Sequence, residues 1–514
     1  YTFLVADYLA KSAGLSFSPS RIYYIPSHIR KDTVADGSDI QDRLVNLINV
    51  PDINLRSNLY TTEDFLDSLQ VSKNYMADQN LYIRERIFDM WTGDWNKTNE
   101  NWEWQSHTVN DSVIYTPIVI DRNHAFTKVD GVLFKQMLKM LSLDFICNYD
   151  SLILKDTKKI NKLAFALDMA VAGRSDESVW IRQAQEIQRQ MTDSLIDSAF
   201  TYLPEGVKHD EIELIKRKLK RRRLELEAVA SQYYRLLQRT PVVAGTNQSD
   251  YFLIERQAPD RTVLRIYDPE TGDCRLEQQF SGKETKELWL YGLAGNDTFE
   301  VKGNTRKDFP IYLISGEGES QLNHNRKIHV YDKDYKYDYQ KIKYHKISFT
   351  PWGIYDSDKG ISLGTFFTYT MYGFKRAPFT YQHRVGYNYL KGFMYAGIFP
   401  NYDGRRRLYL NASISSPRNF ENFFGFGNNT AGYKEEKKNY NRVKLRTYMF
   451  NPSFEMDLRK EEVMTFFGSL DMYKAKRTDD RYIYTVYGED HPIFRTNYFV
   501  GLGATYRITK QPYS

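Results

Sequence analysis

The last third of the chain consists of alternating, tyrosine-rich segments about ten residues long. Residues 341–514 hold 38 Phe, Trp and Tyr, against 39 in the preceding 340 residues. In Leu408–Ser415 apolar and polar residues alternate, and Tyr498–Tyr506 repeats the arrangement. A period of two predicts β-strands with two different faces. Aromatic residues at the ends of such strands favour an antiparallel transmembrane β-barrel, and a soluble β-sandwich is the alternative.

Composition narrows the classes of protein that fit. A chain of 514 residues is expected to form several domains. Its mean hydropathy of −0.59 and the lack of an 18-residue apolar run argue against a transmembrane helix. The net charge of +6 is too small to indicate a nucleic-acid partner. Cys147 and Cys274 have no metal-ligand spacing, and we expect buried thiols or at most one disulfide.

The two ends of the sequence suggest a longer precursor. A barrel protein needs an export signal, and none precedes Tyr1. We therefore expect that the chain begins after processing or inside a longer protein. Residues 341–514 hold eight or nine predicted strands, and Gln511–Ser514 does not resemble a final strand. The barrel is expected to be incomplete.

Four regions follow from the patterns along the chain. Residues 1–145 are predicted as mixed α/β, 146–245 as helical, 246–340 as a small all-β module and 341–514 as barrel strands. The predicted helices are Tyr1–Ala13, one capped by Thr61, Asn74–Trp91, Leu163–Ala172, Trp180–Tyr202 and Asp210–Leu237. The predicted strands before the barrel are Arg21–Pro26, a hairpin in Val109–Ile120, Tyr251–Arg256, Thr262–Asp268, Glu287–Tyr291, Thr298–Val301 and Ile311–Ile314.

One face of the helix predicted at Asp210–Leu237 is strongly basic. Its candidates for an anionic-partner surface are Lys216, Arg217, Lys220, Arg221 and Arg223. A solvated helix face balanced by nearby glutamates is the favoured interpretation. Lipid headgroups or a polyphosphate are the alternative partners.

Two segments carry the residue types of a phosphotransfer site: GDWNKTNENWEW (Gly93–Trp104) and IDRNHAF (Ile120–Phe126). Kinase-type chemistry needs a carboxylate near the attacking hydroxyl and further oxygen ligands for a metal ion. The catalytic candidates are Asp94, Asn96 and Asn101, and the metal candidates are Asp121, Asn123 and Asn101. The alternative is a structural turn that carries tryptophans.

A third segment, YGLAGNDTFEVKG (Tyr291–Gly303), has a weaker echo in Ile314–Ser320. Glycine turns followed by a strand are similar to calcium-binding β-rolls, so calcium at Gly295–Asp297 is one interpretation. Two imperfect copies favour plain tight turns. The sequence contains no HExxH, GxSxG or phosphate-binding loop motif.

Several of these segments together resemble a family of Bacteroidota outer-membrane proteins. Its larger members carry a metallophosphoesterase domain, a periplasmic region and a surface-antigen-type C-terminal barrel. The matching segments are Phe88–Trp104, Pro117–Gly131, Gln190–Pro204, Lys218–Leu237, Glu284–Gly303 and Gly360–Tyr387. The resemblance implies an outer-membrane location, with residues 1–340 periplasmic and degenerate kinase-like features in residues 1–145.

The chain departs from the family at the residues that matter for chemistry. Where the family has GDWDRH, this sequence has Asn96, Lys97 and Thr98, and the second Asp of the DRD segment is Asn123. An amide cannot accept a hydroxyl proton as a carboxylate does. Asp121, with Asn101 and Asn123, could still hold a divalent ion, with lower affinity than paired carboxylates.

These observations favour a non-catalytic scaffold or accessory subunit of an outer-membrane complex. Its expected partners are outer-membrane lipid and other outer-membrane or periplasmic proteins, with no nucleic acid and no cofactor apart from a divalent metal ion. The second interpretation is a membrane-anchored metallophosphoesterase or phosphotransferase whose catalytic domain precedes Tyr1. A translocation pore is the third, supported by analogy of fold alone.

Overall fold

The protein is described by a computed structural model that divides it into two compact units. The first consists of residues 1–135 and 143–342, and the second of residues 136–142 and 343–514. The structure describes residues 1–27, 42–48, 58–141, 143–203, 206, 209–304, 309–323, 328–331, 337–373, 376–401, 404–427, 439–459 and 461–509.

The first unit combines helices with short sheets. The helices up to residue 240 are α1 (Thr2–Ser12), α2 (Thr62–Val71), α3 (Gln79–Thr92), α4 (Val132–Met140, which includes residues of both units), α5 (Thr157–Ile160), α6 (Phe165–Ala172), α7 (Glu177–Gln190), α8 (Asp193–Ala199), α9 (His209–Arg223) and α10 (Leu226–Leu237). The strands are β1 (Ser20–Ile25), β2 (Arg43–Ile48), β3 (Leu59–Tyr60), β4 (Tyr75–Ala77), β5 (Trp102–Val109), β6 (Ser112–Val119), β7 (Val242–Ala244), β8 (Tyr251–Gln257), β9 (Arg261–Tyr267), β10 (Cys274–Ser281), β11 (Leu288–Tyr291), β12 (Thr298–Gly303), β13 (Ile311–Ile314), β14 (Gln321–Asn323) and β15 (Ile328–Tyr331).

A small sheet with the order β3-β5-β6-β4 packs against α2 and α3. The Thr61 hydroxyl accepts a hydrogen bond from the Asp64 amide, which confirms the predicted cap of α2. The helix predicted from Asn74 begins later, because Tyr75–Ala77 pairs with β6 and Asp78 caps α3. The rings of Phe65 and Trp104 stack with centroids 3.7 Å apart in the core between these elements.

The single helix predicted at Asp210–Leu237 is wrong, because α9 ends at Arg223 and α10 begins at Leu226. The Arg222 side chain is buried and donates hydrogen bonds to the carbonyls of Trp91 (2.8 Å) and Asp150 (2.9 Å). These tertiary contacts of Arg222 lie at the break between α9 and α10. The apolar periodicity of the sequence does not reveal them. The predicted helix Trp180–Tyr202 is likewise divided, since Thr192 caps α8.

The predicted all-β module is a parallel β-solenoid. One sheet, β15-β13-β11-β7, is parallel throughout, and in the other β8, β12 and β14 are parallel while β9 and β10 add antiparallel strands. Apolar residues from both sheets form one core cluster, which includes Phe252, Leu290, Phe299 and Leu313. The predicted strands are confirmed, and β10 was missed because its sequence is mostly polar and exposed.

Three turns of the solenoid, residues 245–250, 292–297 and 315–320, stack on one another. Thr298 lies opposite both Tyr251 and Gln321, so the residues before these three positions are also neighbours. Gly316 has φ +71°, and a Cβ there would lie 2.0 Å from the Leu293 carbonyl oxygen. Gly318 has φ +121° and would meet the Gly295 carbonyl oxygen at the same distance. Only glycine fits this close approach between turns.

The second unit is dominated by one large antiparallel sheet. Its elements are β16 (Lys346–Asp356), β17 (Gly360–Met371), β18 (Tyr381–Asn388), β19 (Gly392–Pro400), β20 (Arg406–Ser415), β21 (Phe420–Asn422), β22 (Arg442–Arg459), β23 (Glu462–Ala475), helix α11 (Tyr482–Tyr487) and β24 (Asn497–Ile508). The strands pair in the order β16-β17-β18-β19-β20-β22-β23-β24, and β21 pairs with β22. The predicted alternation and strand number are confirmed.

The register of this sheet separates its residues into two faces. One row runs from Ala412 through Phe450 and Leu470 to Val500, and we call its side the apolar face. Other members of the apolar face are Ile347, Phe349, Leu363, Phe367, Val385, Phe393, Leu408, Ile414, Tyr448, Phe454, Phe466 and Leu502. The polar face carries Thr350, Thr368, Arg384, Asn411, Asn451, Glu455 and Asp471.

The apolar face is the exposed one. The exposed fractions of Ile347, Leu363 and Leu502 are 72%, 69% and 90%. On the polar face, the Arg407 guanidinium makes an ion pair with Glu455 at 3.0 Å and another with Asp457. The fold therefore contains mixed α and β elements and a large antiparallel sheet. No helix in the described part of the chain is long and apolar enough to cross a membrane.

The two cysteines differ in environment. Cys147 is half-buried, whereas Cys274, at the start of β10, is exposed, and both are free thiols. The predicted burial of Cys274 is therefore wrong.

Candidate functional site

The two segments predicted to carry phosphotransfer chemistry lie side by side in the first unit. The Ile120 amide donates to the Asn101 carbonyl at 3.0 Å, and the Lys97 ammonium lies 3.3 Å from the Asp121 carbonyl oxygen. Sequence analysis thus identified segments that do meet in space. The side chains that converge there are mostly different from the predicted ones.

The end of helix α3 directs the first segment into the protein. Gly93 ends the helix with φ +78°, and the ring of Tyr149 lies 2.6 Å from the place where a Cβ would be. The Asp94 amide donates to the Asp89 carbonyl at 2.9 Å. This turn places Asp94 in the interior, with only 2% of its surface exposed.

Asp94 pairs with Lys97 rather than facing solvent. The Lys97 ammonium makes an ion pair with the Asp94 carboxylate and lies 3.6 Å from Oδ1 of Asp89. Burial raises the pKa of Asp94, and the positive charge of Lys97 opposes that rise. Asp94 is thus enclosed by protein, with Oδ2 paired to Lys97 and Oδ1 without a hydrogen-bond partner.

Arg122 joins the second segment to the same helix. It pairs with Glu85, and its Nε lies 3.8 Å from Oδ1 of Asp89. Glu85 also accepts a hydrogen bond from the Ser16 amide at 3.0 Å. Burial raises the pKa of Glu85 to about 7, although Arg122 acts in the opposite direction.

Arg86 extends these ion pairs towards the helical region. Its guanidinium lies 2.8 Å from both Asp89 and Asp168 and donates to Oδ1 of Asn161 at 2.7 Å. Asp168 also accepts hydrogen bonds from the hydroxyls of Tyr82 (2.7 Å) and Tyr233 (2.5 Å). We call the connected set Glu85, Arg86, Asp89, Asp94, Lys97, Arg122 and Asp168 the buried charge network. It ties α3, α6 and α10 to the two motif segments.

The remaining predicted residues have local structural partners. Oδ1 of Asn101 accepts from the amide (2.8 Å) and the hydroxyl (2.9 Å) of Thr98. Oδ1 of Asp121 accepts from the Asn123 amide at 3.2 Å, and Asn96 is half-buried. In the ranges that the structure describes, no group of three or more His, Cys, Asp or Glu is placed to hold a metal ion. Oδ1 of Asn123 accepts a hydrogen bond from the Asn46 side chain at 3.3 Å, and a divalent ion at Asp121, Asn123 and Asn101 stays a prediction.

The tryptophans pack around the loop. Trp91, Trp102 and Trp104 are almost completely buried, and the Trp91 indole donates to the Leu219 carbonyl at 3.0 Å. Trp95 is half-buried and packs on His124, with ring centroids 4.5 Å apart. These contacts are those of a core, not of an open platform for a substrate.

The predicted anionic-partner surface on α9 is largely neutralised. Lys216 pairs with Glu213, Lys220 with Asp197, Arg221 with Glu225 and Arg223 with Asp193, while Arg217 is exposed. Local carboxylates therefore balance most of the positive charge. This favours a solvated helix face.

The predicted calcium turn contains a buried pair of carboxyl groups. Asp297 is fully buried, and its Oδ1 accepts a hydrogen bond from the Asp250 amide at 2.9 Å. The Asp250 carboxylate accepts from the amide (2.7 Å) and hydroxyl (3.0 Å) of Thr246. Burial, together with the charge of Asp250, raises the pKa of Asp297 to about 7, although the hydrogen bond from the Asp250 amide acts in the opposite direction. Calcium at this turn stays a prediction.

Sequence reasoning missed Glu85, Asp89, Arg122 and Asp168. All four are charged: Glu85, Asp89 and Asp168 lie in predicted helices, and Arg122 lies in the second motif segment. Glu85 and Asp89 are four positions apart, so they share a face of α3 with buried residues. Two acidic residues at this spacing within an otherwise apolar helix face are the sequence feature that could have identified them.

Comparisons with known proteins add little to this description. No protein-family model matches the chain, and no curated protein has a significantly similar sequence. Among solved structures, the Helicobacter pylori proinflammatory kinase CtkA is similar, at 16% identity over 46% of this chain and 86% of that one. The TM-score of 0.27 is too low to establish a shared fold.

Proposed function

We propose that the protein is an outer-membrane protein whose second unit provides the wall of a transmembrane β-barrel, in whole or in part. The supporting observation is the apolar face, which runs without interruption across eight paired strands and is exposed. Soluble monomeric proteins rarely expose a contiguous apolar patch of that extent. Lipid on the apolar face and water on the polar face account for the alternation.

A soluble sandwich fits these observations less well. Its two sheets would cover each other's apolar faces. In the described part of the second unit the strands form a single sheet, and the apolar core cluster there, around Val443, Ala475 and Ile483, is small. The Arg407 ion pairs place charge on the polar face, as expected for a side that faces water inside a barrel.

The lengths of the connections suggest an orientation. Connections 372–380, 401–405 and 460–461 lie at the end of the sheet where the chain enters at Lys346. Connections 357–359, 389–391, 416–441 and 476–496 lie at the opposite end, which we call the long-loop rim. Barrels of the outer membrane have short periplasmic turns and longer outer loops. We therefore assign residues 1–340 to the periplasm.

Within the periplasmic region we propose a non-catalytic role as scaffold or accessory subunit, docking on other outer-membrane or periplasmic proteins. The support is the buried charge network, in which Lys97 engages Asp94, together with the amide at Asn96. The hypothesis of a phosphotransfer site comes from the family resemblance. These residues offer it no free general base.

Phe450→Lys tests the membrane assignment. A lysine on the apolar face near the middle of β22 would meet acyl chains, and we expect it to reduce stable insertion at a cost on the order of 2 kcal/mol. Its neighbour Asn451 lies on the polar face, so Asn451→Lys is the matched control. Insertion into vesicles is measured by flotation and by heat-modifiable gel mobility. Equal insertion of both variants, or a protein that stays in solution without lipid, would contradict the proposal.

The non-catalytic role has its own test. We expect the full chain to show no Mg²⁺-dependent nucleotide binding in calorimetric titration, because Asp121 is the single carboxylate among the three predicted metal ligands. Asp121→Ala should therefore leave the titration unchanged, with Asp273→Ala as a control in an exposed turn. Nucleotide binding that requires Mg²⁺ and disappears in Asp121→Ala would refute the scaffold role.

A further inference from the structure

A cluster of cations continues the apolar face at the long-loop rim. On β22, Arg446 and Lys444 follow Phe450 and Tyr448 at steps of two residues, so all four share one side of the sheet. On β23, Lys474 lies directly opposite Arg446 and one step beyond Met472, which is opposite Tyr448. The column of apolar side chains therefore ends in positive charge on both strands.

These cations are not neutralised by the protein. Among the described residues, Lys444, Arg446, Lys474, Lys476 and Arg495 have no carboxylate within 4.0 Å, whereas Arg477 at the same rim pairs with Glu489. All five are exposed. Like charges directly opposite each other on antiparallel strands are destabilising. The Arg446–Lys474 pair therefore favours an anion supplied from outside the chain.

The cluster borders a cleft large enough for a ligand. This cleft, of about 790 Å³, is lined by the five cations and Arg477, by the carboxylates of Glu489 and Asp490, and by neutral hydrogen-bonding groups such as Ser416 and Asn419. Leu445, Ala475 and His491 also line a second cleft of about 740 Å³, whose wall includes Phe423, Ile483 and Ile493. Leu445 and Ala475 belong to the polar face by register, so the apolar surface beside the cations is the apolar face itself, at Tyr448 and Phe450.

We propose that this rim cluster, Lys444, Arg446, Lys474, Lys476 and Arg495, binds the phosphate groups of an anionic lipid in the outer leaflet. The inference rests on the proposed function, which places the apolar face in lipid. Tyrosine side chains concentrate at the level of lipid headgroups, and Tyr448 and Tyr498 lie just below the cations in register. Basic side chains at that depth attract lipid phosphate. A free phosphate would not need the adjoining apolar surface.

The test compares two charge-matched double variants of the full chain in neutral detergent. Arg446→Gln/Lys474→Gln removes two cations from the rim cluster, and Arg405→Gln/Arg406→Gln removes two from the opposite end of the sheet. Retention of diphosphorylated lipid A is measured by native mass spectrometry, with and without millimolar inorganic phosphate. We expect the first variant to bind about tenfold more weakly or worse and the second to match the wild type.

The outcomes separate this inference from the membrane assignment. Equal lipid retention in the two variants, or displacement of the lipid by inorganic phosphate, would overturn the inference. Both variants should still insert into phosphatidylcholine vesicles, since neither changes the apolar face. If the wild type itself fails to insert into those vesicles, the membrane assignment fails, and this inference fails with it.

Discussion

Asp168→Ala is expected to lower the free energy of unfolding of the first unit by about 3–5 kcal/mol. Asp168 is fully buried and receives three donors: the Arg86 guanidinium and the hydroxyls of Tyr82 and Tyr233. Removing the carboxylate takes away the acceptor of two phenol hydroxyls and leaves a buried cation with one carboxylate fewer. Because Arg86 keeps Asp89 at 2.8 Å, we expect the loss to lie near the lower limit.

Urea unfolding followed by tryptophan fluorescence measures this effect in the full chain. Six of the seven tryptophans precede residue 343, so the signal reports mainly on the first unit. Tyr233→Phe is the matched control, since it removes one hydrogen bond to the same carboxylate and should cost only about 1 kcal/mol. A loss below that of Tyr233→Phe would show that the buried charge network does not hold these helices together.

Asp297→Asn is expected to stabilise the first unit at alkaline pH, by on the order of 3 kcal/mol, and to have little effect in acid. Burial raises the pKa of Asp297 from 3.8 to about 7. Between these two values the unfolded chain releases the proton while the folded protein keeps it. Stability therefore falls as the pH rises through this range and becomes constant above about 7. The side-chain amide in Asp297→Asn carries no charge at any pH. The unfolding free energy of this variant therefore lacks the decrease that ionisation of Asp297 causes.

The measurement is the difference in unfolding free energy between wild type and Asp297→Asn, at about pH 4 and about pH 8. Other buried carboxyl groups, including Glu85, titrate in both proteins and cancel in the difference. Asp273→Asn, in an exposed turn, controls for the loss of one acidic group. A difference that is the same at both pH values would mean that Asp297 is ionised throughout, as it would be with a bound cation.

The sequence predicted elements well where local pattern and tertiary environment agree. The alternation in Leu408–Ser415 gives β20 because one side of that strand is apolar and the other polar along its whole length. The solenoid was only partly predicted. Strands such as β11 and β13 are four residues long and buried on both sides, so they carry no period that distinguishes parallel from antiparallel pairing. The break in Asp210–Leu237 depends on Arg222, whose partners lie far away in sequence.

The candidate site, too, was predicted where local sequence determines it and missed where tertiary contacts do. The motif segments were identified because they combine acidic residues, amides and glycine at short spacing. Their partners were missed, since Glu85 and Asp168 come from helices remote in sequence and only the fold brings them to Arg122 and Arg86. Local spacing cannot show that Lys97 neutralises Asp94. The fold is needed to show this ion pair, which encloses Asp94 in the interior.

The unequal connections of the large sheet have a consequence for how the protein can change over generations. Connections 401–405 and 460–461 are short, and an insertion there would push paired strands apart. We therefore expect few insertions or deletions to be tolerated at that end. At the long-loop rim, segment 476–496 joins β23 to β24 without adding a strand to the sheet, so its length can vary without disturbing the ladder. Differences in sequence and length among relatives are therefore expected to concentrate at the long-loop rim and not at the opposite end of the sheet.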